Sequence, residues 1–274
     1  VVDIERRAGG VAVRTRSGAR HFARRVLLAT GPSAPEPLDV AWGAAPGYAR
    51  YEGYEGYVPT AWDTAWLSQV KPDDEVLLVG TGLTAVDVVV SLLVRGHRGP
   101  ITAVSRHGLL PMRHTGVSRR VDITLGQIPP RARSLLRALR AAVRDAAGWG
   151  IAWQEVVDGF RWEVAERGQR LPLEERRRFL RHLRAYWDVH RHRVAPEIAD
   201  WVKQAEDEGH LRVMAGRLRE IAPHGRAAVC TVHRRGQGNE QLTARWIVNC
   251  TSPANPLRVG EPLMRALEAR GLVR

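Results

Sequence analysis

The chain has 274 residues, 44% of them apolar and 26% charged, a globular composition that excludes general disorder. No apolar run reaches the roughly 18 residues of a spanning helix, and Cys230 and Cys250 alone cannot supply a disulfide framework or a thiolate metal cage. Forty-two Lys+Arg against 29 Asp+Glu give +13, a balance that invites anionic partners, although Lys71 and Lys203 are the only lysines and no helix-turn-helix, zinc-finger or RNA-binding signature accompanies the arginines.

In chain order, Val11–Thr15 alternates apolar with polar and Ser17-Gly18 reads as a turn. Arg25 to Gly31 is a continuous apolar run, read as a buried strand that stops at Gly31-Pro32. Pro32 to Pro59, rich in Gly, Pro and Tyr, is a long irregular connection. Pro72-Asp73-Asp74 is a turn, and Glu75–Gly80 is a short apolar strand. Ala85, Val86, Val89, Val90 and Leu93 then recur at helical spacing. Gly96 and Gly99-Pro100 end that helix, Ile101–Ser105 is the next strand, and the whole is one βαβ unit.

From Arg131 to Arg193 the pattern is helical, with Leu135, Leu139, Val143 and Ala147 on one face. Pro172 opens a second helix with Glu174 and Glu175 in its first turn, and Pro196 a third segment to about Glu208. Strands follow at Leu211–Met214, Ala227–His233 and Leu242–Thr251, then a short helix around Pro262–Arg270. Fifteen arginines against eight acids between Arg131 and Arg193 gather over half of the net charge in this insertion; a solvated face and a surface for an anionic substrate or partner are both open readings.

The chemistry concentrates in Gly80-Thr81-Gly82-Leu83-Thr84-Ala85, between a strand and a helix that leads to a second strand. Gly80 permits the tight turn, Gly82 lets backbone N–H groups approach a pyrophosphate, and Ala85 keeps helix and strand close. The alternative is a plain βα turn. At the end of the second strand, Ser105-Arg106-His107 stands where an NAD site offers a carboxylate. An arginine there pairs with a 2′-phosphate in a charge-assisted fork, so NADPH is expected over NADH, with Arg106 as discriminator.

Other constellations are weaker. His182, His190 and His192 invite a metal reading but lack a carboxylate at ligand spacing, and a structural or substrate-lining role is expected instead. Ser105, His107 and His114 lack the G-x-S-x-G elbow of a hydrolase. Neither cysteine has a C-x-x-C partner.

Two further segments, Leu28-Ala29-Thr30-Gly31-Pro32 and Val248-Asn249-Cys250-Thr251-Ser252-Pro253, are apolar runs that stop at small-residue turns. Together with VLLVGTGLTAVDVVVSLLVRGHRGPITAVSRHGLLPMRH, ATGPSAPEP, YWDVHRHRVAPEIA and VNCTSPANP, they resemble bacterial FAD/NAD(P)-binding oxidoreductases related to FAD-dependent urate hydroxylase and, more distantly, to the N-hydroxylating flavin monooxygenases. The resemblance covers nearly the whole chain. It implies an α/β, Rossmann-like two-dinucleotide-binding-domain flavoprotein fold with a helical insertion, in which NAD(P)H reduces FAD and the flavin then oxidises or hydroxylates a small substrate. On this view residues 1–60 and 241–274 are parts of an FAD-binding domain, 61–130 the NAD(P)H-binding core, 131–208 the insertion and 209–240 return strands. It further implies that Thr30, Gly31, Pro32, Thr251 and Ser252 touch FAD.

The family's N-terminal G-x-G-x-x-G has no counterpart here, so the chain is expected to be the middle of a longer protein. A non-catalytic NADP(H)-binding or sensor module is the alternative. No catalytic acid or base is nominated, and no metal, nucleic acid or membrane is expected as partner. A reducing, cytoplasmic setting is expected.

Overall fold

The computed structural model describes residues 1–31, 33–43, 54–115, 121, 125–254 and 262–273. They form two compact units, Val1–Leu38 with Thr251–Arg274, and Asp39–Cys250.

The smaller unit holds an antiparallel meander, β1 (Asp3–Arg7), β2 (Gly10–Arg14) and β3 (Arg20–Ala23), as the alternating pattern predicts. A terminal helix, Pro262–Ala269, packs on β1. Arg270 just beyond it bonds both Asp3 oxygens and donates to the Ile4 carbonyl (2.8 Å). The Arg270 guanidinium holds the Asp3 carboxyl below its ordinary range.

The run Arg25–Gly31 departs from expectation: it is not a strand, and Leu27 is 90% exposed. A continuous apolar run becomes a buried strand only where neighbours supply a ladder and cover both faces. Among the described strands none pairs with it.

The larger unit is built on a five-stranded sheet in the order β5 (Tyr57–Val58), β12 (Trp246–Asn249), β6 (Val76–Val79), β7 (Ile101–Ser105) and β8 (Leu211–Ala215). Every neighbour is parallel. Parallel strands are covered on both faces, which is why VLLV and WIVN read as unbroken apolar runs. Helix α1 (Leu83–Val94) crosses from β6 to β7 and buries Ala85, Val86, Val88, Val89 and Leu92. It ends at Gly96, whose φ of +79° favours glycine. A short 3-10 turn, Ala65–Ser68, brings Trp66 to 5.8 Å from the ring of Trp246.

A second sheet, β11 (Gly238–Ala244), β10 (Ala227–Arg234), β9 (Arg217–His224) and β4 (Ala41–Trp42), is antiparallel except for β4. The predicted strand Leu242–Thr251 is two strands in two sheets. At Arg245 the alternating burial of β11 gives way to the fully buried β12, and the Arg245 and Trp246 N–H groups both donate to the Glu75 carbonyl (2.8 and 3.1 Å). That change of period marks the crossing.

The insertion is α2 (Ala132–Ala147), α3 (Trp153–Arg170), α4 (Leu173–His182) and α5 (Arg184–Arg191), followed by α6 (Pro196–Asp207). Pro172 stands at the N-cap of α4, and Glu174 and Glu175 lie in its first turn. Helix α3 and strand β9 are additions to the sequence reading.

Candidate functional site at the carboxyl edge of the parallel sheet

Strand β6 has β7 on one side and β12 on the other, so the chain's crossovers diverge at its carboxyl end. Ligand crevices of open α/β sheets lie at such switch points. The turn Gly80–Gly82 sits there. Gly80 has φ +121°, and its N–H donates to the Val104 carbonyl at 2.8 Å. Gly82 is the N-cap of α1 in an extended conformation, and no side chain caps the helix. A Cβ on Gly82 would meet no protein atom within 4 Å. Backbone strain thus explains the first glycine, while the second keeps the uncapped helix start open. Ala85 is buried against the sheet, Thr84 is half-buried, and Leu83 is 39% exposed.

Thr81 turns inward. Its hydroxyl lies 2.8 Å from Ser105 Oγ and 2.6 Å from the Leu109 carbonyl oxygen. A carbonyl only accepts, so the single Thr81 proton goes to Leu109 and the Ser105 hydroxyl donates in return. Ser105 Oγ also accepts from the Gly108 N–H at 3.1 Å. Gly108 has φ +58° and approaches β8 so closely that a Cβ would stand 2.7 Å from the Ala215 nitrogen. The Gly216 N–H closes the arrangement on the Ser105 carbonyl at 2.8 Å. The two loops that follow β6 and β7 are therefore one hydrogen-bonded piece.

Arg106 and His107 are exposed at the tip of that piece. His107 stacks at 5.8 Å on Tyr186 of α5, and Arg106 has no ion-pair partner among the described residues. The sequence-predicted set Gly80 to Ala85 with Ser105, Arg106 and His107 is thus brought together. Leu109, Gly108 and Gly216 belong with it and were missed, since their roles arise from tertiary hydrogen bonds. A glycine just past each of β7 and β8 was the available signal.

The end of β12 borders the same edge, where the Cys250 N–H donates to the Val79 carbonyl (2.9 Å). Burial, then the nearby Asp87 charge, pushes the Cys250 thiol up to about 12, and burial does the same for Cys230. Both stay protonated near neutrality, so neither supplies a thiolate nucleophile.

Thr30, Gly31, Thr251 and Ser252 lie in the smaller unit, and Pro32 falls outside the described residues. Gly31 has φ +71°. A Pro35–Pro253 bridge and the Ala254 N–H to Ala34 carbonyl bond (3.2 Å) set the segments after the two turns side by side.

The loop after β7 is also clasped to the insertion. The His114 N–H donates to the Val194 carbonyl (2.8 Å) and the Val194 N–H to the Met112 carbonyl (3.0 Å). Next to them the Arg193 side chain, 2% exposed, donates to Asp158 (2.6 Å) and the Gln154 carbonyl (3.1 Å) over the Trp153 ring. His190 packs on Trp153 at 5.0 Å, and its Nδ1 lies 2.7 Å from the Tyr186 carbonyl oxygen. His190 is thus part of the packing, whereas His182 and His192 are exposed. Among the described residues, no three His, Cys, Asp or Glu side chains converge as metal ligands, and no helix is long and apolar enough to cross a membrane.

No family model matches the chain, and no curated protein matches it. Solved structures do. The FAD-bound cadaverine monooxygenase of desferrioxamine biosynthesis from Erwinia amylovora is similar over 95% of this chain and 52% of its own, with 16% identity and a TM-score of 0.54. The reduced ornithine hydroxylase of Pseudomonas aeruginosa gives 97%, 55%, 12% and 0.53. The L-lysine 6-monooxygenase of Pseudomonas syringae gives 97%, 54%, 16% and 0.52. The chain spans about half the length of these proteins and has the α/β, Rossmann-like two-dinucleotide-binding flavoprotein fold that they share.

Proposed function

We propose that the chain carries the NADPH-binding part of an NADPH-dependent flavin oxidoreductase, and that its smaller unit belongs to the FAD-binding domain. The observation that carries this reading is the open start of α1 on a hydrogen-bonded loop pair that also bears Arg106, which meets no acid among the described residues. In such a protein NADPH supplies a hydride to flavin, and the flavin then oxidises or hydroxylates a small substrate.

The chain's own residues bind and orient. The backbone N–H groups of Gly82, Leu83 and Thr84 would hold the pyrophosphate, since uncapped helical amides and the macrodipole favour negative charge. Thr81 and Ser105 act through the backbone by fixing the loop. Arg106 would pair with the 2′-phosphate, with the His107 ring beside it packed on Tyr186. Thr30, Gly31, Pro32, Thr251 and Ser252 would contact the flavin. The structural likeness to amine and amino-acid hydroxylases supports the oxidoreductase class; the narrower kinship with urate hydroxylase rests on the sequence motifs alone. A cytoplasmic setting is part of the same reading.

The test is cofactor binding to Arg106→Ala by fluorescence titration. NADPH affinity is expected to fall by about tenfold or more with NADH affinity unchanged, about 1.4 kcal/mol in the 2′-phosphate contact. An unaltered preference for NADPH would sink the assignment. Bound FAD absorbance in the full-length protein tests the flavin half, and a colourless protein after FAD supplementation would leave an NADP(H)-binding sensor.

A further inference from the structure

Some arginines of the insertion are paired along their own helix and others, Arg177 and Arg181 of α4 among them, meet no acid among the described residues. On α3, Arg161, Arg167 and Arg170 each meet an acid three or four residues away, at 3.3, 2.5 and 2.5 Å. Arg178 on α4 meets Glu174 and Glu175 at 2.7 and 2.9 Å, and Arg184 on α5 meets Asp188 at 3.3 Å. On α2, Arg133, Arg137, Arg140 and Arg144 are all exposed and meet no acid among the described residues. Their spacing of four, three and four places them within about 60° of arc along roughly 16 Å of helix. Like charges at these intervals repel, so the stripe is no help to the helix that bears it.

Nor does packing account for it. The opposite side of α2 carries Leu135 and Leu139 and buries Ala132 and Ala146, and the helix packs on α3 and α4. The acid that approaches α2, Glu175, accepts instead from the Ala132 N–H (2.8 Å). Arg is among the residue types that dominate protein–protein contact energies.

We propose that the arginine face of α2 docks an acidic helix of a partner protein. A helix carrying carboxylates at the same four-three-four spacing matches the stripe in length, width and rise, and Arg–carboxylate forks give it register. No helix-turn-helix, zinc-finger or RNA-binding signature accompanies the stripe. The leucine side of α2 is turned to the neighbouring helices, whereas an interfacial membrane helix keeps its apolar face for lipid.

The probe is an alanine-based helical peptide bearing four glutamates at that spacing, titrated against the full chain. The control has the same composition with its glutamates spread around the helix. The matched peptide is expected to bind about tenfold more tightly, with affinity falling as salt rises. Arg137→Glu/Arg140→Glu should abolish the preference, and a lysine-bearing peptide should bind that variant in its place. Should the variant unfold, Arg137→Gln/Arg140→Gln takes its place and should weaken the matched peptide several-fold. Equal binding of both peptides overturns the proposal. So does tighter binding to a DNA duplex or to phosphatidylserine vesicles that the same variants abolish. NADPH titration of each variant reads the nucleotide site separately, so the two proposals fail independently.

Discussion

The βαβ core and the Arg131–Arg193 insertion are adjoining parts of one unit held together by different forces. In the core, Val76, Leu77, Leu78, Ile101, Ala103 and Val104 are at most 2% exposed, and the sequence there is nearly free of charge. In the insertion, α4 and α5 bury no residue fully, and ion pairs along single helices recur from α3 to α5. Exposed pairs of this kind contribute a few tenths of a kcal/mol each, whereas each fully buried aliphatic side chain contributes roughly 1.5–3 kcal/mol. The core's geometry is therefore overdetermined and can carry a site needing sub-ångström placement. The insertion depends on a few buried anchors, with most of its charge free to face outward.

The contrast is testable, from the largest effect downward. Leu78→Ala, at a position with no exposure, should cost about 2–5 kcal/mol in urea denaturation, whereas Leu180→Ala on α4, 54% exposed, should stay within about 0.5 kcal/mol. Comparable losses would erase the distinction. Within the insertion, Asp158→Ala strands the buried Arg193 and should cost about 3 kcal/mol. Glu166→Ala, which breaks an exposed pair with Arg170, should cost about 0.3–0.5 kcal/mol. Equal effects would mean that Arg193 is no anchor.

At the core's carboxyl edge, Thr81→Val removes one hydroxyl and leaves Ser105 and the Leu109 carbonyl short of a partner. It should cost about 1–3 kcal/mol and narrow the discrimination between NADPH and NADH. Unchanged discrimination at reduced stability would make Thr81 purely structural.

The smallest effect concerns His97, at the opposite edge, whose Nδ1 lies 3.2 Å from the Lys71 carbonyl oxygen. Burial lowers its pKa below the ordinary 6.5, so the folded state prefers the neutral ring. Its contribution is complete above about pH 6.5 and declines below it, as the unfolded chain takes up the proton first. His97→Gln should flatten the loss of stability between pH 7 and 5; an unaltered slope would place the titration elsewhere.

The core was the most legible part of the sequence because each of its signals has a local cause. VLLV is apolar without alternation, as suits a parallel strand covered on both faces, ITAVS departs from it only at Thr102 and Ser105, and Gly80 and Gly96 stand where φ is positive. Legibility fell wherever a partner decides the outcome. Arg25–Gly31 has the composition of a buried strand, but composition does not say what covers it. Leu242–Thr251 reads as one strand because its alternating part, Leu242–Ala244, is too short to show a period of its own before the apolar run of Trp246–Val248. Strand β9 was hidden by its arginines and Pro223, since apolar positions such as Leu218 and Ile221 face the core too sparsely to show a clear period. At the site, the types and places of Gly80, Gly82 and Arg106 were readable, but the inward turn of Thr81 was not. A threonine in a turn looks the same whether it faces solvent or a serine 24 positions later.

That bond sets a kinetic expectation for the proposed nucleotide site. Because the Gly80–Gly82 turn and the arm bearing Arg106 are already joined, neither has to move toward the other to take up a dinucleotide, and association should proceed at similar speeds for both nicotinamide cofactors. Discrimination would then lie in residence time, with the 2′-phosphate lengthening the stay of one cofactor rather than hastening its arrival.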